Sequence, residues 1–271
     1  VNPSLFEPAG PDTWIPTDYA RGPWDPAACH GGPVSALLAR AVEHIEPDAP
    51  VDWQVARLSV ELTRPVPVGK PLTLQSEIER AGRKVSLVAA RLLDGDTEVA
   101  RVRSLRIRIS ELALPDDVAQ PLPDPPGAPG DAPTQRVTWA HDDGIAFHRD
   151  ACEHRFTDGA WDAPGPVAVW IRLNVAVVAG EPPSGVQRAA AAADFGNGVS
   201  GGLPFERFVY INPDLTVHLL RPPVGEWIGM RTASYYGTDH VSTGAGFAES
   251  ALYDADGRVG RSVQSLLLDE R

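Results

Sequence analysis

The residues best suited to chemistry in this chain stand in one copy of a repeated segment and are missing from the other. The run Leu58 to Gly69 (LSVELTRPVPVG) returns as Leu215 to Gly225 (LTVHLLRPPVG), and Val99-Ala100-Arg101 returns as Val259-Gly260-Arg261, in the same order and at an offset of about 160 residues. At the head of the repeated strand, Arg57 in the first copy stands against Asp214 in the second; on the last strand, Ser104 stands against Gln264. A carboxylate and an amide therefore enter together. An Asp can take a proton from water as a general base, and a Gln can hold that water or a substrate by hydrogen bonds. Taken alone, an Asp at this strand end is more often a turn or solvent-facing residue, and Gln264 more often a surface amide.

Other chemistries are not signalled. The chain has no GxSxG elbow and no phosphate-binding or dinucleotide fingerprint. His218 and His240 form no metal set with nearby carboxylates, so no metal and no cofactor is expected. The two cysteines, Cys29 and Cys152, fit no metal spacing and no disulfide framework, and read as buried thiols in a reducing cytoplasm. Cys29 and His30 are chain neighbours, which rarely point at each other, so a thiol nucleophile is not expected.

An internal repeat implies one fold unit used twice, and the local patterns agree. Val34, Leu37, Leu38, Ala41 and Val42 recur at helical spacing behind Gly31-Gly32-Pro33, predicting a helix over 33–44. Four strand-like runs follow at 52–63, 71–80, 85–93 and 98–109; the first alternates Leu58, Val60 and Leu62 against Arg57, Ser59 and Glu61. The second half repeats the plan, with a strand over 167–174, an Ala-rich helix over 186–193 and strands at 206–221, 226–235, 245–253 and 258–268. Asp194 and Asn197 read as terminators of that helix, with a substrate-facing role as the lesser reading. Pro115, Pro121, Pro123, Pro125, Pro126, Pro129 and Pro133 make 110–135 a linker rather than a helix or central strand. The expected class is α+β, each helix laid across an antiparallel meander, with units at 1–110 and 136–271 joined by a proline-rich linker at 111–135.

Composition narrows the partners. The 271 residues are 43% hydrophobic, enough for a sizeable core, and the formal net charge is -12. That charge argues against nucleic acid, which is bound through clustered Lys and Arg, and disfavours an anionic membrane surface. No apolar run approaches a membrane span, and Val1 to Ser4 carry no signal-peptide pattern, so a cytoplasmic protein is expected.

With a helix entered through His30-Gly31-Gly32, a meander carrying Arg-Pro-x-Pro-x-Gly, and a tandem duplication, the chain resembles the acyl-CoA thioesterase II-like family of double hotdog proteins. The resemblance covers nearly the whole chain and is strongest from Ile211 to Leu267. It implies a tandem hotdog: two antiparallel sheets, each wrapped on a central helix, forming an intrachain pseudo-dimer, with a homodimer of such double hotdogs as the larger assembly. It also implies hydrolysis of acyl-CoA thioesters. Asp214, seven residues before Arg221-Pro222, takes the family's catalytic position, and Gln264 in Ser262-Val263-Gln264 takes that of the family Gln. The family hydroxyl follows a Glu-Trp pair; behind Glu226-Trp227 it aligns with Tyr235, with Ser234 beside it and Thr238 nearby, which departs from the family pattern. In the implied mechanism Asp214 deprotonates a water held with Gln264, and backbone N–H groups around Gly31 and Gly32 receive the oxyanion. Close loop packing is the other reading of the glycine pair. His30 reads as a loop cap, a substrate contact or a satisfied buried imidazole. Trp161, Trp170 and Trp227 read as core or acyl-pocket wall.

Two other functions compete. The departure at Tyr235 allows a protein that binds acyl-CoA or an acyl chain without turnover. An enoyl-CoA hydratase would want its Asp and His in a loop before a helix, whereas Asp214 and His218 share a strand-like run. The acyl length, and CoA against a carrier protein, are not written in the sequence.

Overall fold

The computed structural model describes residues 3–46, 51–118, 124–137, 144–238 and 241–271. His240, Pro121 and Pro123 lie outside the described residues. The first half runs β1 (Ser4–Gly10), β2 (Thr13–Pro16), α1 (Gly31–Glu43), β3 (Trp53–Glu61), β4 (Leu72–Arg80), β5 (Val85–Asp94) and β6 (Thr97–Arg108). The second half runs β7 (Thr134–Gln135), β8 (Cys152–Asp158), β9 (Val167–Leu173), β10 (Ala176–Val178), α2 (Gly185–Ala193), α3 (Gly196–Val199), β11 (Phe208–Ile211), β12 (Asp214–Leu219), β13 (Trp227–Tyr235), β14 (Ala245–Asp254) and β15 (Gly257–Glu270).

The strands form a single 15-stranded sheet, not two sheets as expected. Its order is β10-β1-β2-β4-β5-β6-β3-β12-β15-β14-β13-β9-β8-β7, with β11 alongside β15. Read outward from the centre, β3-β6-β5-β4-β2-β1 is mirrored by β12-β15-β14-β13-β9-β8. The sheets merge because the repeated strands pair with each other. Leu58 lies opposite Val217, Val60 opposite Leu215, and Ser59 opposite Thr216 at the centre. Leu58 and Leu215 are repeat equivalents, as are Val60 and Val217, so the pairing is self-complementary about the Ser59–Thr216 pair. All four apolar residues are at most 1% exposed. Merging also removes two strand edges that would otherwise template aggregation.

Helix α1 starts two residues before the predicted span. Its periodic apolar face, Val34, Leu37, Leu38, Ala41 and Val42, is wholly buried. Pro33 falls in the first turn, where a missing N–H costs nothing. Helix α2 packs antiparallel on α1, and each helix covers strands of its own half. The approach is close because Gly32 lacks a side chain: a Cβ there would sit 2.8 Å from the Ala191 carbonyl oxygen and from the Phe147 ring.

The expected 206–221 strand is two strands. Tyr210 pairs with Leu268 and Ile211 with Leu267, but Thr216 pairs with Val263, so the register slips by one residue across Asn212-Pro213. Proline cannot donate to the ladder, and the extra residue bulges out. The latter part of the linker, 124–135, lies on the outer surface of the second half: Arg231 Nε donates to the Asp124 carbonyl and Trp170 Nε1 to that of Gly127. Arg221 anchors the turn after β12 through a two-pronged ion pair with the Asp254 carboxylate, at 2.5 and 2.7 Å.

Two predictions follow from this packing. Leu58→Ala and Leu215→Ala, equivalent positions on the two seam strands, should each lower the unfolding free energy by about 2–5 kcal/mol while melting stays a single transition. A two-step melt, with each half unfolding separately, would contradict the shared seam. The second concerns His148 and His154, 4% and 1% exposed. Burial, and then neighbouring positive charge, pushes both imidazoles down to about 3. The unfolded chain then binds more protons than the folded one between about pH 3 and 6.5, so stability should fall as pH drops through that window. Thermal melts from pH 7 to pH 4 check this, and His154→Gln should flatten the dependence.

Candidate active site

A cavity of about 370 Å³ opens where the N-terminus of α1 meets the C-terminus of α2, lined from both halves of the chain. Asp194, the C-cap of α2 and 2% exposed, lines it. An acid at a helix C-terminus faces the negative end of its own helix dipole, so its burial needs outside donors. They are present. Asn212 Nδ2 donates to Asp194 Oδ1 at 2.7 Å, Gln264 Nε2 lies 3.4 Å from the same oxygen, and His30 Nδ1 lies 2.7 Å from Oδ2. The positive N-terminal end of α1 points at the same carboxylate. A Cβ on Gly31 would stand 2.7 and 2.8 Å from the two carboxylate oxygens, so only glycine lets the helix end approach this closely.

The amide of Gln264 is fully used. Its Nε2 donates to the Asp194 carbonyl at 3.1 Å, and its Oε1 accepts from Asn197 N at 3.1 Å. Asn197 Nδ2 in turn donates to the Tyr210 carbonyl at 2.9 Å. Asn212 is carried into the site by the bulge between β11 and β12. His30 is the N-cap of α1, with Gly32 N 3.1 Å from its Nδ1. Its ring packs 5.0 Å from those of Phe147 and Phe195. A proton on Nδ1 serves the shorter contact to Asp194; without it, the nitrogen accepts from Gly32. Among the described residues, no group of three or more His, Cys, Asp and Glu side chains is placed to hold a metal ion.

The expected convergence of Asp214 with Gln264 is not what the structure has. Ser265 N donates to Asp214 Oδ1 at 2.6 Å, so Asp214 sits beside Ser265, the residue next to Gln264. Adjacent strand residues point to opposite faces. On β12, Leu215, Val217 and Leu219 are buried while Asp214, Thr216 and His218 face out; on β15, Gln264 and Leu266 are buried while Ser265 and Leu267 are exposed. Asp214 therefore lies on the outer face of the sheet and Gln264 on the inner one. Tyr235 is also on the outer face, 44% exposed and stacked on Phe247 at 4.6 Å. Ser234 faces inward but shares a 2.7 Å hydrogen bond with Ser200, apart from the Asp194 cluster. Of the expected residues, the structure brings Gln264, His30, Gly31 and Gly32 together. Asp194, read mainly as a helix terminator, and Asn212 complete the group. The overlooked signal was an acid placed against its own helix dipole.

The opposite end of the helix pair is built differently. Arg40 stands ten residues past the N-cap of α1, as Asp194 does past that of α2. Arg40 is clamped by Glu181 at 2.6 and 2.7 Å, and Ser184, the N-cap of α2, donates its Oγ to the Glu43 carboxylate at 2.8 and 3.0 Å. Ser104 stands where Gln264 would be.

Comparison with known proteins places this architecture. Residues 20–107 match the family model of the acyl-CoA thioesterase N-terminal domain, and residues 115–268 match that of the acyl-CoA thioesterase C-terminal domain. Similar solved structures include a tesB protein of Mycobacterium avium subs paratuberculosis, 15% identical with a TM-score of 0.66, covering 97% of this chain and 95% of that one. An acyl-CoA thioesterase II TesB2 from Mycobacterium marinum is 14% identical with a TM-score of 0.64, covering 98% and 96%. A conserved protein of unknown function with hot dog fold from Alicyclobacillus acidocaldarius is 15% identical with a TM-score of 0.68, covering 98% and 95%. No curated protein matches the chain. With both family models matched over most of its length, the chain belongs to the acyl-CoA thioesterase family and is a hydrolase of acyl-CoA thioesters.

Proposed function

We propose that the hydrolytic centre is the Asp194–Asn212–Gln264–His30 cluster, in a tandem hotdog whose units, 1–110 and 136–271, pack as an intrachain pseudo-dimer across the 111–135 linker. The observation carrying this reading is the 2% exposed Asp194 carboxylate, surrounded by donors inside a cavity built by both halves. The mirrored strand order and the self-complementary seam support the pseudo-dimer.

In this mechanism a water enters the cavity beside Asp194, with the Asn212 Oδ1 as an acceptor that orients it. Asp194 takes a proton from the water as its oxygen bonds to the thioester carbonyl carbon. The carbonyl oxygen becomes an oxyanion, received by the N–H of Gly31 at the positive end of α1. The tetrahedral centre then collapses, the carbon–sulfur bond breaks, and the proton held on Asp194 passes to the departing CoA thiolate. Gln264 fixes Asp194 through its backbone and side chain and needs no proton of its own.

One observation favours a second reading. Both Asp194 oxygens already face protein donors, and the side chain is 1% exposed. His30, with Nδ1 held by Asp194, would then be the base, using its other ring nitrogen as in carboxylate–imidazole pairs. Kinetics separate the two. Free CoA release by Asp194→Asn should fall by about a hundredfold or more with little change in KM. His30→Gln should stay within about tenfold of wild type if Asp194 is the base, and fall by about a hundredfold if His30 is. Asp214→Asn, on the outer face, should turn over as wild type does. If wild type binds acyl-CoA and releases nothing, the chain is a binding protein.

A further inference from the structure

We infer that Trp161 sets the length of acyl chain this enzyme accepts, by walling the acyl pocket off from a second cavity. The inference rests on the reading that the thioester sits beside Asp194. A cavity of about 330 Å³ lies next to the 370 Å³ pocket, and the two share three wall residues, Trp161, Gly198 and Tyr210. Trp161 is the bulkiest of them. Its ring is held edge-on against His154 at 4.8 Å and Phe156 at 5.6 Å, and lies 6.4 Å from Phe195, the neighbour of Asp194. Tyr210 is 4% exposed and braced edge-on by Trp24 at 5.2 Å. Gly198 leaves a gap in the same wall: a Cβ built there meets nothing within 4 Å.

Charge indicates what the second cavity would receive. The charged side chains lining it are Asp162 and Glu206, which repel the phosphates of CoA. The first pocket is lined by Asp25 and Asp194 but also by Arg64, a cation that the second cavity lacks. The anionic carrier therefore belongs on the Arg64 side, and the uncharged tail of a saturated acyl chain on the Trp161 side. With Trp161 in place, the indole leaves the tail only the narrow gap over Gly198. Without it, the tail runs on over Gly198 into the neighbouring space. Each methylene that gains a dry wall is worth about fourfold in kcat/KM.

The test is a series of saturated acyl-CoAs from butyryl to stearoyl, read as CoA release with wild type, Trp161→Ala and Gly198→Leu. Trp161→Ala should move the optimum to longer chains, raising the ratio of long-chain to short-chain kcat/KM by about fifteenfold for two further methylenes. Gly198→Leu should lower that ratio by filling the gap. Profiles that keep the wild-type shape in both variants, or rise and fall by one factor at every length, overturn the inference. If Trp161→Ala fails to fold, the Gly198→Leu ratio decides. Kd values for non-hydrolysable thioether analogues of the same lengths keep the two readings apart. A shift of length preference in Kd without turnover would leave the wall in place and remove the catalytic reading. Unchanged Kd profiles would remove the wall.

Discussion

The antiparallel pairing of β3 with β12 is the constraint on which the other features depend. Two copies of one strand meet about Ser59 and Thr216, and their buried residues are interchangeable across that centre. The pairing joins the two halves of the sheet and requires the helices above it to run antiparallel. Each helix N-terminus therefore faces the C-terminus of the other helix, at two equivalent places. Duplication supplies two such junctions, and the side chains decide what each becomes.

At one junction Arg40 stands in the last turn of α1, where its charge suits the helix dipole, and Glu43, the last residue of α1, accepts from the side chains of Ser184 and Gln187 at the start of α2. Burial raises the Glu43 carboxyl above its ordinary range, while hydrogen bonds from Ser184 and Gln187 lower it. Ion pairs and caps fill the space. At the other junction no basic side chain stands in the last turn of the helix. Asp194 stands at a negative helix end and is held there by His30, Asn212 and the bare N-terminus of α1. A carboxylate arranged this way is costly by itself and cheap only in this tertiary setting, as expected where local preference gives way to function.

The same contrast explains what was legible in the sequence. The helix at Val34–Val42 and the meander strands follow periodic patterns fixed by burial on one side, and their boundaries lie within about two residues of expectation. Gln264 stands out in the sequence because motif and repeat both mark it, and the glycine pair because of the motif alone. Asp214 misled because a linear motif fixes spacing but not face. The one-residue slip at Asn212-Pro213 and the period-two alternation of β12 together turn it outward. Asp194 and Asn212 were hidden because they meet only through the tertiary fold, 18 residues apart in sequence, and Asp194 gains His30 and the α1 N-terminus only when the first half folds against it. The short β1 and β10 depend on pairing across the molecule in the same way, since each comes from a different half and they pair with each other.

The central claim is that the thioester is cleaved beside Asp194, on the inner face, and not at Asp214. A crystal structure of Asp194→Asn with an acyl-CoA trapped in it tests this most directly. The account predicts the thioester carbonyl carbon within about 4 Å of the substituted side chain, with its oxygen within hydrogen-bond distance of Gly31 N. A thioester bound on the outer face next to Asp214, or deep in the second half away from the N-terminus of α1, would contradict it.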